Sequence, residues 1–326
     1  MTGGAAEAVR RRRVDVGTAE LDVLEAGEPG APVIVLAHGF PESTRSWRHQ
    51  VAPLAAAGYH VLAPDQRGYG RSTRFDRVED YSITQLTGDL LNLVATTGHD
   101  DAVFVGHDWG ALIVWDLAKL HPDRCRAVAG LSVPFVQWPA PPTQLMRAVY
   151  GDRFFYILYF QRPDEAEAEL QADVRRTMQG VLWGASGKGF VGPAGDPPPM
   201  TGTGFLTSMP APPPPPWPWL TEDDLQRYVD DFTASGFFGP VSYYRNLDAN
   251  HALVHALGPD RLTMPTCFVA GSKDPVLVMD PTGVERMAAA LPDFRGATII
   301  EGAGHWVQQE APAETNGALL AFLGTL

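Results

Sequence analysis

Cysteine is scarce in this chain, and neither cysteine has neighbours that suggest a covalent or metal-binding role. Only two occur among 326 residues, Cys125 and Cys267. That number is too small for the disulfide framework of a secreted domain. Both lie among apolar residues, a setting typical of buried, reduced thiols. No cysteine and histidine cluster has metal-ligand spacing, so we predict that the protein holds no metal ion.

Long apolar runs and an excess of positive charge are also missing. No run of about 18 or more apolar residues occurs, which argues against a membrane-spanning helix. The chain has 25 lysines and arginines against 38 aspartates and glutamates, a net charge of −13. This balance argues against nucleic acid or an anionic membrane as a partner. The basic cluster 10–13 precedes no apolar run, so we interpret it as a solvated tail of a cytoplasmic protein.

What is present is a globular composition with alternating strand and helix patterns. The hydrophobic fraction of 45% and charged fraction of 19% are typical of soluble domains. Near-continuous apolar runs predict buried strands, and helical spacing between them predicts helices. The strand segments are 31–39, 59–65, 102–108, 126–134, 265–274 and 297–305, and the helices include 82–97, 110–120 and 281–290. This alternation predicts an α/β fold with a doubly wound, mostly parallel sheet.

The middle of the chain has a different character. Strand patterns give way to aromatic and proline-rich sequence, with a helical pattern at 164–183 and a stretch, 185–219, that is too rich in proline for regular helix or sheet. We predict that residues 141–250 form a mainly helical cap domain inserted into a core of residues 1–140 and 251–326. The proline-rich stretch is interpreted as a stiff cap loop, in preference to a ligand for an SH3-type partner.

The segment FVGHDWGALIV, residues 104–114, runs from a strand through G-x-D-x-G into an apolar helix. Many hydrolases have a catalytic serine at such a strand-to-helix turn, but this chain has Asp108 there. Gly106 and Gly110 permit the strand and helix to approach closely, and the residue between them is pushed out at the edge of the sheet. Asp108 is therefore either a helix N-cap, a role that suits aspartate, or a nucleophile.

Three further segments supply partners for Asp108. The loop HGFPES, 38–43, follows a buried strand and faces the turn across the switch point of such a sheet. Its Phe40 N–H, with the N–H of Trp109, is suited to form an oxyanion hole. Asp274 and His305 each follow a later strand segment. Nucleophile, acid and histidine then occur in the chain order of a hydrolase triad, which isolated helix caps have no reason to share.

The chain resembles the epoxide hydrolases of the α/β-hydrolase fold over about residues 20–326. The motifs HGFPES, DQRGYGRS, GHDWGA and GHWVQQE carry the resemblance, together with the cap segments YILYFQRPDEAEAEL and GFFGPVSYYRNLDAN. The resemblance implies ring-opening tyrosines at Tyr156 and Tyr244, with Tyr159 and Tyr243 as neighbouring candidates. It also implies substrate contacts from Phe40, Pro41, Trp109, Tyr243 and Trp306.

A carboxylate nucleophile suits this chemistry. Epoxide opening is displacement at a saturated carbon, and a serine would leave an alkyl ether, whereas an aspartate leaves an ester that water hydrolyses. We expect Asp108 to attack, Tyr156 and Tyr244 to protonate the oxygen, and His305, oriented by Asp274, to activate water. The expected reaction converts a lipophilic epoxide to a vicinal diol with no cofactor. Its partners are the small epoxide and water, and we expect a monomer or homodimer.

Two alternatives stay open. Haloalkane dehalogenases use the same aspartate and also have a tryptophan after it, but they usually place a halide-binding residue where this chain has Phe40 and lack the tyrosine pair. Fluoroacetate dehalogenases favour arginine at the position of Trp109. A non-catalytic ligand binder of this fold would be expected to lack a triad member or a tyrosine, and a serine esterase is excluded by Asp108 itself.

Overall fold

The structure, a computed structural model, describes residues 9–192, 195–209 and 211–326. Within these residues the strands are β1 (Arg10–Asp15), β2 (Glu20–Ala26), β3 (Val33–Ala37), β4 (His60–Pro64), β5 (Ala102–His107), β6 (Cys125–Leu131), β7 (Thr266–Gly271) and β8 (Phe294–Ile300). They form one sheet in the order β1-β2-β4-β3-β5-β6-β7-β8. The pairs β1–β2 and β2–β4 are antiparallel, and all other neighbours are parallel. The predicted doubly wound, mostly parallel sheet is confirmed.

Helices cover both faces of this sheet. The α-helices of the described residues are α1 (Val51–Ala56), α2 (Ile83–Ala95), α3 (Trp109–Leu120), α4 (Pro142–Tyr150), α5 (Tyr156–Tyr159), α6 (Glu165–Ala172), α7 (Val174–Gly184), α8 (Glu222–Ser235), α9 (Phe238–Arg245), α10 (Leu247–Val254), α11 (Pro275–Met279), α12 (Gly283–Ala290), α13 (Val307–Glu310) and α14 (Pro312–Leu323). Short 3₁₀ helices lie at Thr44–Trp47, Val78–Tyr81, Pro122–Arg124, Leu206–Ser208 and Pro259–Arg261. None of the helices in the described ranges has the length and apolar character needed to cross a membrane.

The central strands are apolar on both sides because each side meets its own layer of helices. In β3, Val35 belongs to one buried cluster, with side chains of α2 and α3, whereas Ile34 and Leu36 belong to a second cluster, with side chains of α1 and α14. Every residue of β3, β4 and β5 is buried. Burial of each large aliphatic side chain contributes roughly 1.5–3 kcal/mol, which explains the uninterrupted apolar runs of the sequence.

Between β6 and β7 the chain leaves the sheet and forms the helices α4 to α10. The predicted helix 164–183 is two helices, because Asp173 interrupts it and its carboxylate accepts a hydrogen bond from the Arg176 N–H at 3.0 Å. The described part of the stretch 185–219 contains one 3₁₀ turn, Leu206–Ser208, and no strand or α-helix beginning in it, as its prolines predict. Where the cap domain begins and ends stays a prediction.

The interpretation of residues 10–13 as a solvated tail is wrong. These residues form the edge strand β1, which pairs with β2. Arg11 donates at 2.8 Å to Asp22 and at 2.8 Å to Asp65, and both carboxylates are buried. Arg10 and Arg12 both contact Glu25. The run of arginines in the sequence did not reveal that these residues form a paired edge strand, since Asp65, a partner of Arg11, lies 54 positions further along the chain.

Glu25 provides a test of this edge. Burial alone would raise its pKa, but hydrogen bonds from Arg12, Arg10 and His60 lower the pKa from 4.5 to about 2. A carboxylate with a lowered folded-state pKa contributes stability above its ordinary pKa, and this contribution is lost as pH falls from 4.5 towards 2. We expect Glu25→Gln to lower the free energy of unfolding at pH 7 by about 1–2 kcal/mol, because both arginines are partly exposed.

Urea denaturation at several pH values measures this effect. The difference in free energy of unfolding between the wild type and Glu25→Gln should shrink below pH 4.5. Glu20→Gln is the matched control, since Glu20 pairs with Arg13 on the same strand pair but both side chains are about half exposed. It should change stability by less than about 0.5 kcal/mol. An equal effect of both substitutions, or a Glu25→Gln difference independent of pH, would contradict the assignment.

Candidate active site

Asp108 lies at the turn between β5 and α3 with a backbone φ of 52° and ψ of −117°. A positive φ is unfavourable for a residue with a side chain and costs about 1–3 kcal/mol, so surrounding contacts must hold it. The carboxylate does not cap α3. Instead, Oδ1 accepts a hydrogen bond from the Phe40 N–H at 2.7 Å, and Oδ2 lies 3.4 Å from His305 Nε2. The side chain therefore points away from the helix and into the site, which the N-cap interpretation does not explain.

Close packing of backbone around this turn requires small residues at two positions. A Cβ atom on Gly106 would lie 2.1 Å from the carbonyl oxygen of Gly110, so the strand and helix could not approach as they do. A Cβ atom on Gly39 would lie 2.4 Å from the Cβ of Asp108. The glycine of the HGFP loop thus lets the Phe40 N–H reach the carboxylate.

His305 lies in the loop between β8 and α13, next to two carboxylates. Its Nδ1 is 3.0 and 3.2 Å from the two oxygens of Asp274, and its Nε2 faces Asp108. Asp274 is fully buried and also accepts a hydrogen bond from the Val276 N–H at 2.9 Å, so it caps α11 as well as orienting the histidine. The structure therefore brings Asp108, Asp274 and His305 together in the order expected of a triad.

Neighbouring charges shift the pKa of His305 and that of Asp108. Burial alone would lower the pKa of His305, but Asp274 and Asp108 raise it well above 6.5. For Asp108, burial would raise the pKa, but the hydrogen bond and charge of His305 lower it, with help from the charge of His107 and the Phe40 N–H. An anionic carboxylate is the form that the predicted nucleophilic role of Asp108 requires.

A second buried group, absent from the predicted site, fixes the loops that carry these residues. The Glu42 carboxylate accepts hydrogen bonds from the Gly39 N–H at 3.0 Å and from His107 Nδ1 at 2.6 Å. His107 Nε2 lies 2.7 Å from the carbonyl oxygen of His305. Burial would raise the Glu42 pKa, but His107 and the Gly39 N–H lower it. The pair Glu42–His107 thus joins the HGFP loop, the turn at Asp108 and the loop that carries His305 through hydrogen bonds.

Glu42 and His107 both lie in motifs identified in the sequence, but no role was predicted for either residue. Glu42 lies inside HGFPES and His107 inside GHDWGA, so the signal was their position in the motifs. Glu310 of GHWVQQE is a third such case. Its carboxylate accepts from the N–H groups of Gly304 and Trp306, at 3.2 and 3.1 Å, on either side of His305. The motif thus contains its own support for the histidine.

Of the two predicted oxyanion donors, one contacts Asp108. In the described part of the chain, the Phe40 N–H donates to the carboxylate and the Trp109 N–H does not. The donors of an oxyanion hole face the position of the tetrahedral oxygen and not that of the resting carboxylate, so the role of Trp109 stays a prediction. Phe40 and Pro41 are buried and joined by a cis peptide bond. The substrate contact predicted for Pro41 also stays a prediction.

Tyr156 and Tyr244 come together from two cap helices, α5 and α9. Their ring centroids are 5.9 Å apart, and Tyr244 packs edge-on against Trp109 at 5.0 Å and Phe40 at 5.6 Å. Burial first, and the charge of Asp108 second, raise the pKa of both phenols, so both stay protonated. Tyr159, the neighbouring candidate, instead donates to the carbonyl oxygen of Glu165 at 3.3 Å.

Two predicted substrate contacts have their polar atoms bonded elsewhere. The Tyr243 hydroxyl donates to the carbonyl oxygen of Arg67 at 2.9 Å, and the Trp306 indole N–H donates to that of Leu182 at 2.7 Å. Both rings are almost fully buried, Tyr243 against Trp109 and Trp306 against His305. Packing thus makes them supports for site residues, and the substrate contacts predicted for Tyr243 and Trp306 stay predictions.

Known proteins share this architecture. Residues 32–174 match the family model for the alpha/beta hydrolase fold. The chain is 47% identical to epoxide hydrolase A of Mycobacterium tuberculosis over 320 residues, 96% of each protein. Epoxide hydrolase A from Mycobacterium thermoresistibile has a TM-score of 0.89 and 46% identity over 97% of this chain and 98% of that one. An epoxide hydrolase from an endophytic Streptomyces has a TM-score of 0.90 and 37% identity over 97% and 95%.

The fold and the sharp strand-to-helix turn at Asp108 define an enzyme of the α/β-hydrolase class. Within that class, the similarity along nearly the whole chain shows the family. The chain belongs to the epoxide hydrolases.

The position of the His305 imidazole between Asp108 and Asp274 leads to a testable prediction. Because Asp108 helps to raise the pKa of His305, we expect Asp108→Asn to lower that pKa. NMR titration of the histidine signals measures it, with His305→Gln identifying the signal. Asp116→Asn is the matched control, since Asp116 lies on the helix that follows Asp108 but pairs with Lys119 at 3.2 Å. A His305 pKa that Asp108→Asn leaves unchanged would rule out the proposed charge coupling.

Proposed function

We propose that this protein hydrolyses lipophilic epoxides to vicinal diols through an ester on Asp108. The observation that carries the proposal is the position of the Asp108 carboxylate, 2.7 Å from the Phe40 N–H and 3.4 Å from His305 Nε2, under two protonated tyrosines. Membership of the epoxide hydrolase family gives the type of bond that is broken.

In the first step Asp108 attacks one epoxide carbon through a carboxylate oxygen, and the carbon–oxygen bond on that carbon breaks. The leaving oxygen stays attached to the other carbon and develops negative charge. Tyr156 and Tyr244 donate hydrogen bonds to it, and one of them supplies the proton. Their high pKa values keep both phenols protonated before the reaction, and the developing alkoxide is basic enough to accept the proton.

In the second step His305 removes a proton from water, and the hydroxide attacks the carbonyl carbon of the Asp108 ester. The Phe40 N–H, with that of Trp109, would stabilise the tetrahedral oxyanion. Alkylation has by then removed the negative charge of Asp108, so one of the two groups that raise the His305 pKa is gone. The resting proton of His305 passes through solvent to the phenolate that the first step left, so the histidine is a neutral base when water must be activated. When the intermediate collapses, the leaving alkoxide takes the proton of the newly formed carboxyl group, which releases the diol and restores the Asp108 carboxylate and the imidazolium.

The walls around the nucleophile favour an apolar substrate. Phe160 packs against Phe40 and Tyr244 with centroid distances of 5.5 and 5.0 Å. We infer that this aromatic surface binds the hydrocarbon part of the epoxide, while the tyrosine hydroxyls bind its oxygen. The core supplies Asp108, Asp274 and His305 and the proposed cap, residues 141–250, supplies both tyrosines.

The dehalogenase alternative is less well supported. In dehalogenases the indole after the nucleophile can hold the departing halide. Here the Trp109 ring packs edge-on against Tyr244 with ring centroids 5.0 Å apart, and Trp109 opposes the rise of the Tyr244 pKa that burial causes. The indole is thus engaged with a group that is suited to bind an epoxide oxygen.

A single turnover in ¹⁸O-labelled water tests the covalent mechanism. With enzyme in excess over styrene oxide, we expect the first diol to be unlabelled and the label to enter the peptide that contains Asp108, because the diol oxygen comes from the carboxylate. Mass spectrometry of both products measures this. His305→Gln should accumulate the ester, seen as a gain in protein mass equal to that of the epoxide. Label in the first diol would mean direct attack of water on the epoxide.

The tyrosine pair is tested by removing its hydroxyls. Tyr156→Phe combined with Tyr244→Phe should slow ester formation by about 10²–10⁴-fold, the usual contribution of general acid catalysis. Tyr243→Phe is the matched control from the same helix as Tyr244, because its hydroxyl donates to the carbonyl oxygen of Arg67, and we expect ester formation at close to the wild-type rate. Stopped-flow tryptophan fluorescence follows the step. Release of halide from haloalkanes that survives the double substitution would favour the dehalogenase instead.

A further inference from the structure

The proline-rich stretch places one aromatic ring beside a proposed ring-opening tyrosine. Phe205 is 6% exposed, and its ring centroid lies 5.8 Å from that of Tyr156 and 5.0 Å from that of Phe160. Phe160 also packs against Tyr156 at 5.7 Å. Rings from the stretch and from the residue that follows α5 therefore form one cluster around Tyr156.

Tyr156 has little support from its own helix. The helix α5 contains only four residues, Tyr156–Tyr159, and Tyr156 is its first. A single helical turn is not stable without tertiary contacts, because nucleation costs more than one turn of hydrogen bonds returns. Something outside α5 must therefore hold the phenol in position.

Residues 195–209, which we call the brace, supply such contacts along the backbone. The Phe154 N–H donates to the carbonyl oxygen of Pro198 at 2.6 Å, and the Met200 N–H donates to that of Asp152 at 2.7 Å. The chain that leads into Tyr156 is thus bonded to the brace in both directions. Three consecutive prolines, 197–199, restrict the backbone of the brace at this point.

The ring of Phe205 is held by an anchor on another helix. Glu169 of α6 accepts hydrogen bonds from the Phe205 N–H at 2.8 Å and from the Leu206 N–H at 3.0 Å, one at each carboxylate oxygen. The approach is close, since a Cβ atom on Gly204 would lie 2.3 Å from a Glu169 oxygen. The Leu206 side chain faces the other way, towards Gly180 of α7. The turn therefore directs Phe205 alone to the tyrosine.

We propose that Phe205, anchored by Glu169, is a positioning residue that holds Tyr156 in the orientation required for epoxide opening. The role rests on the proposed function, since it acts through the tyrosine and not on the substrate. It assigns a use to the proline-rich stretch, which replaces the support that a longer helix would give α5. Loss of this support should slow ester formation and leave ester hydrolysis, which needs His305 and Asp274, unchanged.

A double-mutant cycle tests this coupling. In the wild-type background, Phe205→Ala should lower the ester-formation rate by about 10–100-fold, the effect of displacing a catalytic group by about 1 Å. In the Tyr156→Phe background the same change should cost less than about threefold, because the group it positions is already absent. Glu169→Gln, which keeps only one acceptor oxygen, should give a smaller loss in the same step.

Leu206→Ala is the matched control, since it alters the same turn on the side away from Tyr156, and should leave both steps unchanged. Thermal denaturation checks that each variant folds, and Phe205→Leu replaces Phe205→Ala in the cycle if the latter does not. Equal losses in both backgrounds, or a parallel fall in ester formation and hydrolysis, would overturn the positioning role. If the wild-type enzyme forms no ester with any epoxide, the proposed function fails, and the positioning role, which rests on ester formation, fails with it.

Discussion

The chemistry at this site depends on one imidazole that lies between two carboxylates. His305 is 3.0 Å from Asp274 and 3.4 Å from Asp108, and all three side chains are removed from most of the solvent. Charges interact strongly at such distances when little water screens them. Asp274 is not alkylated in the proposed reaction, whereas Asp108 loses its charge when it becomes an ester. In the proposed reaction, formation of the ester on Asp108 thereby changes the basicity of His305, which activates the water that hydrolyses that ester.

The parallel sheet makes this arrangement possible. The strands β3, β5, β7 and β8 end at the same edge, so the loops that follow them lie side by side although they are far apart in the chain. Buried hydrogen bonds then set the distances between these loops. Glu42 and His107 connect three of them, at the cost of burying a carboxylate that only its partners keep ionised. The strained backbone of Asp108 is tolerable because these contacts and the tight packing of Gly39 surround it.

The part of the chain between β6 and β7 has a different task. Asp108 and His305 follow strands of the sheet, whereas Tyr156 and Tyr244 lie on helices formed between β6 and β7. α9 is followed directly by α10, whereas α5 is a single turn between irregular segments. Tyr156 thus has less support from its own helix than Tyr244 has, and the turn at Phe205, anchored by Glu169, supplies additional contacts to Tyr156. Two hydrogen bonds from the backbone of Phe205 and Leu206 to Glu169 in this way give the proline-rich stretch a role in the proposed reaction.

Local patterns in the sequence predicted the strands and helices of the sheet region, the sharp turn at Asp108, and Asp274 and His305 as its partners, because apolar periodicity and short motifs are properties of neighbouring residues. The sequence did not reveal that Arg11 binds Asp65, that Glu42 and His107 join three loops, or that Tyr243 and Trp306 turn their polar atoms towards backbone carbonyls. Each of these depends on residues far apart in the chain whose approach is decided only when the sheet and its helices pack. Tertiary structure likewise decided that Tyr156 lies beside Tyr244 while the Tyr159 hydroxyl is bonded elsewhere, since within one short helix the two differ only in which side faces the nucleophile.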